Sequence, residues 1–184
     1  QAWLDIALKE SHRLGRLVDE LFELAALDAR ETTPSPEPFV LAELVHDVAQ
    51  KHGPAAAGKQ VRLDVGGQPP TAMALGDLAM TERVLDNLIG NAIAFSPEGG
   101  RVTLSLSEDD RGLAVAVQDQ GPGIAEQDLP HIFEPFYRGS GGEASGHSGL
   151  GLAIAERMMT MQGGSVQAAN CPSGGAQFTL RLPA

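Results

Sequence analysis

The chain has 184 residues, 42% hydrophobic and only 4% aromatic, so it can bury one full core built mainly from Leu, Val, Ile and Ala. A formal charge of -11 with three scattered lysines (Lys9, Lys51, Lys59) excludes a phosphate-backbone surface, and with it a nucleic-acid partner. The single Cys171 excludes an internal disulfide and a multi-cysteine zinc site and fits the reducing cytoplasm; no apolar run reaches the ~18 residues of a membrane span.

Residues 3–30 read as one helix. Leu14, Leu17, Leu21, Leu24 and Asp28 fall at heptad spacing, and Arg13, Arg16, Asp19, Glu20 and Glu23 make an expected solvated face. No second helix in this stretch covers the apolar stripe, so the expectation is a helical bundle with members from elsewhere rather than packing on the rest of the chain. The pattern is already under way at Gln1, which reads as a piece of a longer protein with membrane segments upstream. Pro34, Pro36 and Pro38 forbid helix and make residues 31–38 an extended linker.

Residues 39–184 alternate in type. Helices are expected over Leu41–Lys51, Asp77–Phe95 and Gly149–Gln162. Strands are expected over Gln60–Val65, Ala72–Leu75, Arg101–Glu108, Leu113–Gln118, Ser165–Ala169 and Gln177–Leu182. Antiparallel pairs beside a few long helices suggest a two-layer α/β sandwich, not a doubly wound sheet.

Three segments carry chemistry. Asn87 and Asn91, four apart, share a helix face, where they serve either as inter-helix hydrogen-bonding partners or, through an amide oxygen, as a magnesium ligand. Asp119-Gln-Gly121-Pro-Gly123-Ile124 follows a strand; its glycines allow close backbone approach, and Asp119 can accept from an exocyclic amine such as that of adenine. Ser148-Gly149-Leu150-Gly151-Leu152 opens a helix whose free N–H groups suit an anion. Before it, Gly139–Gly149 reads as a lid, with Arg138 as the adjoining cation.

Taken together, these segments resemble the catalytic, ATP-binding domain of sensor histidine kinases, in the superfamily of gyrase, Hsp90 and MutL. Asn87–Pro97 resembles the N box, Asp119–Ile124 the G1 box, Ile132–Arg138 the F box and Gly149–Ile154 the G2 box. The resemblance implies a Bergerat-type fold over 39–184, with residues 1–30 as the second dimerisation helix and 31–38 as the interdomain linker. It implies ATP with Mg²⁺, Asn91 holding the metal, Asp119 reading adenine, and Arg138 on the terminal phosphates. Gly121, Gly123, Gly149 and Gly151 would shape the pocket, Phe95 and Ile124 would be among its apolar lining, and Ser148, Leu150 and Leu152 would also bind ATP. The partners implied are a response-regulator receiver domain and a second copy through the helix, in a protein anchored at the bacterial inner membrane.

Asn87 stands where ATPase relatives carry a water-activating glutamate. An amide cannot take that proton, so the site suits transfer to another acceptor rather than hydrolysis. None of His12, His46, His52, His131 or His147 sits in a His-acidic-basic-Pro motif, which places the phosphoacceptor upstream and leaves this chain to bind ATP without labelling itself. Glu82 and Asp86 read as surface or salt-bridge residues. Ala94, where relatives often carry lysine, His147 and a lid poor in cations also fit a nucleotide-binding module without efficient transfer. An anti-sigma-type serine kinase is a third reading, disfavoured because it needs no heptad helix.

Overall fold

The computed structural model describes residues 2–29, 31–66, 73–139 and 148–183. Among the described residues four helices run, α1 Ala2–Asp28, α2 Leu41–Gly58, α3 Leu78–Phe95 and α4 Gly151–Met161. The strands are β1 Glu37–Val40, β2 Arg62–Gly66, β3 Met73–Gly76, β4 Arg101–Asp109, β5 Gly112–Gln118, β6 Ser165–Asn170 and β7 Ala176–Leu182. Of the lid, residues 140–147, His147 included, lie outside the described residues, as does position 72 of the second expected strand.

Five strands form a mixed sheet in the order β2-β4-β5-β7-β6, with β2 parallel to β4 and the rest antiparallel. Alternation decides its faces: Leu113, Val115 and Val117 of β5, with Phe178, Leu180 and Leu182 of β7, point under the helices. On the helix side the repeats at three and four in α3 bury Val84, Leu85, Leu88 and Ile89 at 0% exposure. Asp77 starts α3 by accepting the Met80 N–H at 2.9 Å. Lys59 ends it, its ammonium donating to the carbonyls of Ile93 and Ala94. The expected two-layer α/β fold is what forms.

Three expectations are corrected. The proline-rich stretch ends in a strand: β1 takes in Glu37 and Pro38 and pairs antiparallel with β3 in a separate two-stranded sheet, whose open edge tolerates a residue without an N–H. Helix α2 runs seven residues beyond Lys51, through Pro54, because Ala56 (2% exposed) has core to pack on. Most consequential, α1 does not stand apart. Leu24 and Leu27 enter the main core, Leu17 packs against it, and α1 lies along α4. Glu23 grips Arg83 with three hydrogen bonds of 2.8–3.2 Å, and Asp28 pairs with Arg157 at 3.0 Å. Leu14 and Leu21 remain exposed at 62% and 47%, so the stripe is divided: its C-terminal part is used here and the rest is open.

Candidate functional site

Where the end of β5, the C-terminal half of α3, the first turn of α4 and one face of α1 converge, they enclose a cavity of about 760 Å³. That volume accommodates a nucleotide-sized ligand. Its walls include Asn87, Asn91 and Phe95 of α3, Asp119 beyond β5, Gly123, Ile124 and Arg138, and Ser148, Gly149, Gly151 and Leu152 around α4. Eleven of the thirteen site residues named from sequence therefore meet in one place.

The two exceptions have physical reasons. Leu150 is fully buried in the core behind the α4 terminus, and Gly121 acts from behind the wall. The Gly121 N–H donates to Asp119 Oδ1 at 2.7 Å, and a Cβ on Gly121 would stand 2.7 Å from the Phe95 carbonyl oxygen.

Asp119 is 4% exposed. Its Oδ1 accepts from Gly121 N–H and, at 3.1 Å, from Ala176 N–H, so both bonds fall on one oxygen and Oδ2 is left for a ligand N–H. Burial pushes this carboxyl above the usual carboxylate range, opposed by those two backbone donors. The turn after it is pinned by a residue sequence reasoning missed. Asn170, at the end of β6, accepts from Ile124 N–H at 2.7 Å and donates to the Ile124 carbonyl at 2.6 Å.

At the opposite end Asn87 faces the α4 terminus. A Cβ on Gly151 would come 3.2 Å from Asn87 Oδ1, so any larger residue would have to push the Asn87 amide aside by a few tenths of an ångström. The first turn of α4 has no side-chain cap, its Leu150 position leaving backbone donors for an outside acceptor. Asn87 Nδ2 is buried in the wall without a hydrogen-bond partner among the described residues, as is Glu20 Oε2 on α1. Both atoms are shut off from the cavity space itself, so each would need a side-chain shift to meet a ligand. No group of three His, Cys, Asp or Glu that could hold a metal occurs among the described residues. The donors are amides, which suits a magnesium ion shared with phosphate oxygens rather than a cage built by the protein.

Asp128, 6% exposed, was also missed: it accepts from Tyr137 Oη at 2.9 Å and raises that phenol above its usual range. This bond holds the turn segment that delivers Arg138. Also missed was that Arg13, Arg16 and Glu20 border the cavity: Arg13 and Glu20 are partly buried there, while Arg16 stays exposed, as expected. Their i, i+3, i+7 spacing beside Leu17 was the available signal. Glu82 and Asp86 behave as expected: Lys51 bridges them at 3.2 and 2.7 Å, and His52 Nε2 donates to Asp86 Oδ1 at 2.9 Å. His12, His46, His52 and His131 do not line the cavity.

Residues 76–184 match the family of histidine kinase-, DNA gyrase B- and HSP90-like ATPases. The sensor-like histidine kinase SenX3 of Mycobacterium tuberculosis is 38% identical over 96% of this chain and 43% of its own length. The sensor protein SphS of Synechococcus elongatus is 36% identical over the whole chain and 46% of its own. In a crystal structure of full-length ShkA in complex with AMPPNP, 38% of that chain superposes on all of this one with a TM-score of 0.85 at 32% identity. The chain thus spans less than half the length of these curated relatives. With a mixed sheet under helices, a buried carboxylate at one end of the cavity and paired asparagines at the other, the chain belongs to this ATPase family, as the ATP-binding domain of a sensor histidine kinase.

Proposed function

We propose that this domain holds Mg·ATP with its γ-phosphoryl group presented to a histidine outside the chain, for onward transfer to an aspartate of a response-regulator receiver domain. The observation that carries the reading is the pairing of Asp119, with one free oxygen, and the Asn87–Asn91 face at opposite ends of one cavity. Asp119 Oδ2 accepts the adenine amine. Phe95 and Ile124 contact the base, and Asn91 offers its amide oxygen to magnesium. Asn87, Arg138 and the uncapped first turn of α4 lie on the phosphate side. A magnesium ion held there would supply neutralising charge to the phosphoryl oxygens, while the chain's own groups position them. Asn87 lacks a base to activate water, which favours transfer over hydrolysis.

The 43% coverage of SenX3 leaves room in such a protein for the acceptor histidine and for a membrane anchor. Among the described residues no helix is long and apolar enough to cross a membrane. The exposed Trp3, Leu4, Ile6, Leu8 and Phe22 of α1 suit a helical partner, a second copy in the whole protein. Calorimetry with Mg·AMPPNP is the direct test. Binding is expected, weakened roughly 10- to 100-fold in Asp119→Ala, the worth of one hydrogen bond to a charged group. Wild-type affinity in that variant defeats the assignment. With radiolabelled ATP the chain alone is expected to stay unlabelled; stable acid-labile label on it would contradict an external acceptor.

A further inference from the structure

We infer that Arg13 and Arg16 of α1 are phosphate-binding residues of the nucleotide site, so that the polyphosphate joins the helix to the domain. The inference rests on the nucleotide reading above and adds residues to it.

Both arginines line the cavity that Asn87, Asn91 and Arg138 line, and Arg13, Arg16 and Arg138 are its only cations among the described residues. They are one helical turn apart, so they share a face. Leu17, the next residue, packs against the core and aims that face inward. The helix does not rely on them for its seat. Leu24 and Leu27 are buried, Glu23 holds Arg83, and Asp28 holds Arg157, all C-terminal to the two arginines. What they do bind is slight. Arg13 reaches Glu10 at 3.5 Å on its own helix, and Arg16 forms no ion pair among the described residues. Arg13 is partly buried and Arg16 exposed at the cavity's edge, so both keep spare donors that a bound anion can reach in a chain of net charge -11. Their planar forks fit phosphate oxygens. On α1 the two arginines outnumber Glu20; across the whole cavity Arg13, Arg16 and Arg138 balance Glu20, Asp119 and Asp128. Arg13 and Arg16 supply the charge that Ala94 and the glycine-rich segment lack.

The experiment is calorimetry of the whole chain with adenosine, Mg·ADP and Mg·ATP, for wild type, Arg13→Gln/Arg16→Gln and Asp119→Ala. The double glutamine variant is expected to lose about tenfold in Mg·ATP affinity and to keep its adenosine affinity. Asp119→Ala is expected to weaken all three ligands. Arg13→Lys/Arg16→Lys should recover part of the loss, since it keeps the charge without the fork. A role confined to holding the helix would lower adenosine and Mg·ATP affinity together, and would overturn the inference. So would wild-type Mg·ATP affinity in the glutamine variant while Asp119→Ala fails, which would leave the nucleotide site standing. Should wild type bind none of the three, the nucleotide reading itself falls.

Discussion

A carboxylate with 4% exposure, resting on two backbone donors that both reach the same oxygen, is a poor structural element. Asp119 makes sense as a receptor for a ligand donor, and its titration gives that claim a sign. Burial raises its folded-state pKa above the unfolded value. Nucleotide recognition needs the ionised form, so on acidification Asp119 loses its acceptor at a higher pH than an ordinary aspartate would. Folding responds the other way. Between the two pKa values the folded state binds more protons than the unfolded one, so this group's contribution to stability falls as pH rises through that window. Titrating Mg·ADP from neutral pH downward is expected to show affinity declining while urea unfolding reports no matching loss from this residue. Affinity that stays level into the ordinary carboxylate range, or that tracks unfolding, would refute it. Asp119 itself was legible from sequence, because a carboxylate followed by Gly121 and Gly123 after an apolar strand has few structural uses. Its support was not. Asn170 lies 46 residues from the Ile124 it pins, and nothing local marks it.

Among the elements, α3 and the β4–β5 hairpin were readable because their periodicity and their contacts agree. Elsewhere local rules and tertiary packing conflict, and packing wins: Pro54 sits inside α2, and Pro38 joins β1 at a sheet edge. The seat of α1 illustrates the limit best. A heptad stripe tells which face is apolar and cannot tell what covers it. Substitutions along α1 measure the division. Leu27 is 2% exposed within the core, so Leu27→Ala should cost about 2–5 kcal/mol in urea denaturation. Leu14, at 62% exposed, should cost less than about 0.5 kcal/mol on truncation to Ala in the isolated chain. Equal costs at the two positions would mean that α1 leaves the domain in solution. The Arg13, Arg16 and Glu20 face would then leave the cavity with it.

For the molecule as a whole, an acidic protein that binds a polyanion sets two electrostatic effects of different range against each other. The net charge of -11 repels Mg·ATP from far outside the cavity. The arginines, the Asn87 amide and the α4 terminus attract it only at contact. The screening length is about 8 Å at physiological ionic strength and about 30 Å at 0.01 M. Raising salt across that range therefore suppresses the long-range repulsion and leaves contacts at hydrogen-bond distance nearly intact. Association should quicken with salt while dissociation hardly changes, the reverse of a basic surface that releases counter-ions on binding. Stopped-flow mixing with a fluorescent ATP analogue at constant free Mg²⁺ separates the two rates. An association rate that falls as salt rises would show that the local cations dominate the approach as well as the bound state. The site would then have to present a positive field to solvent despite the charge of the chain around it.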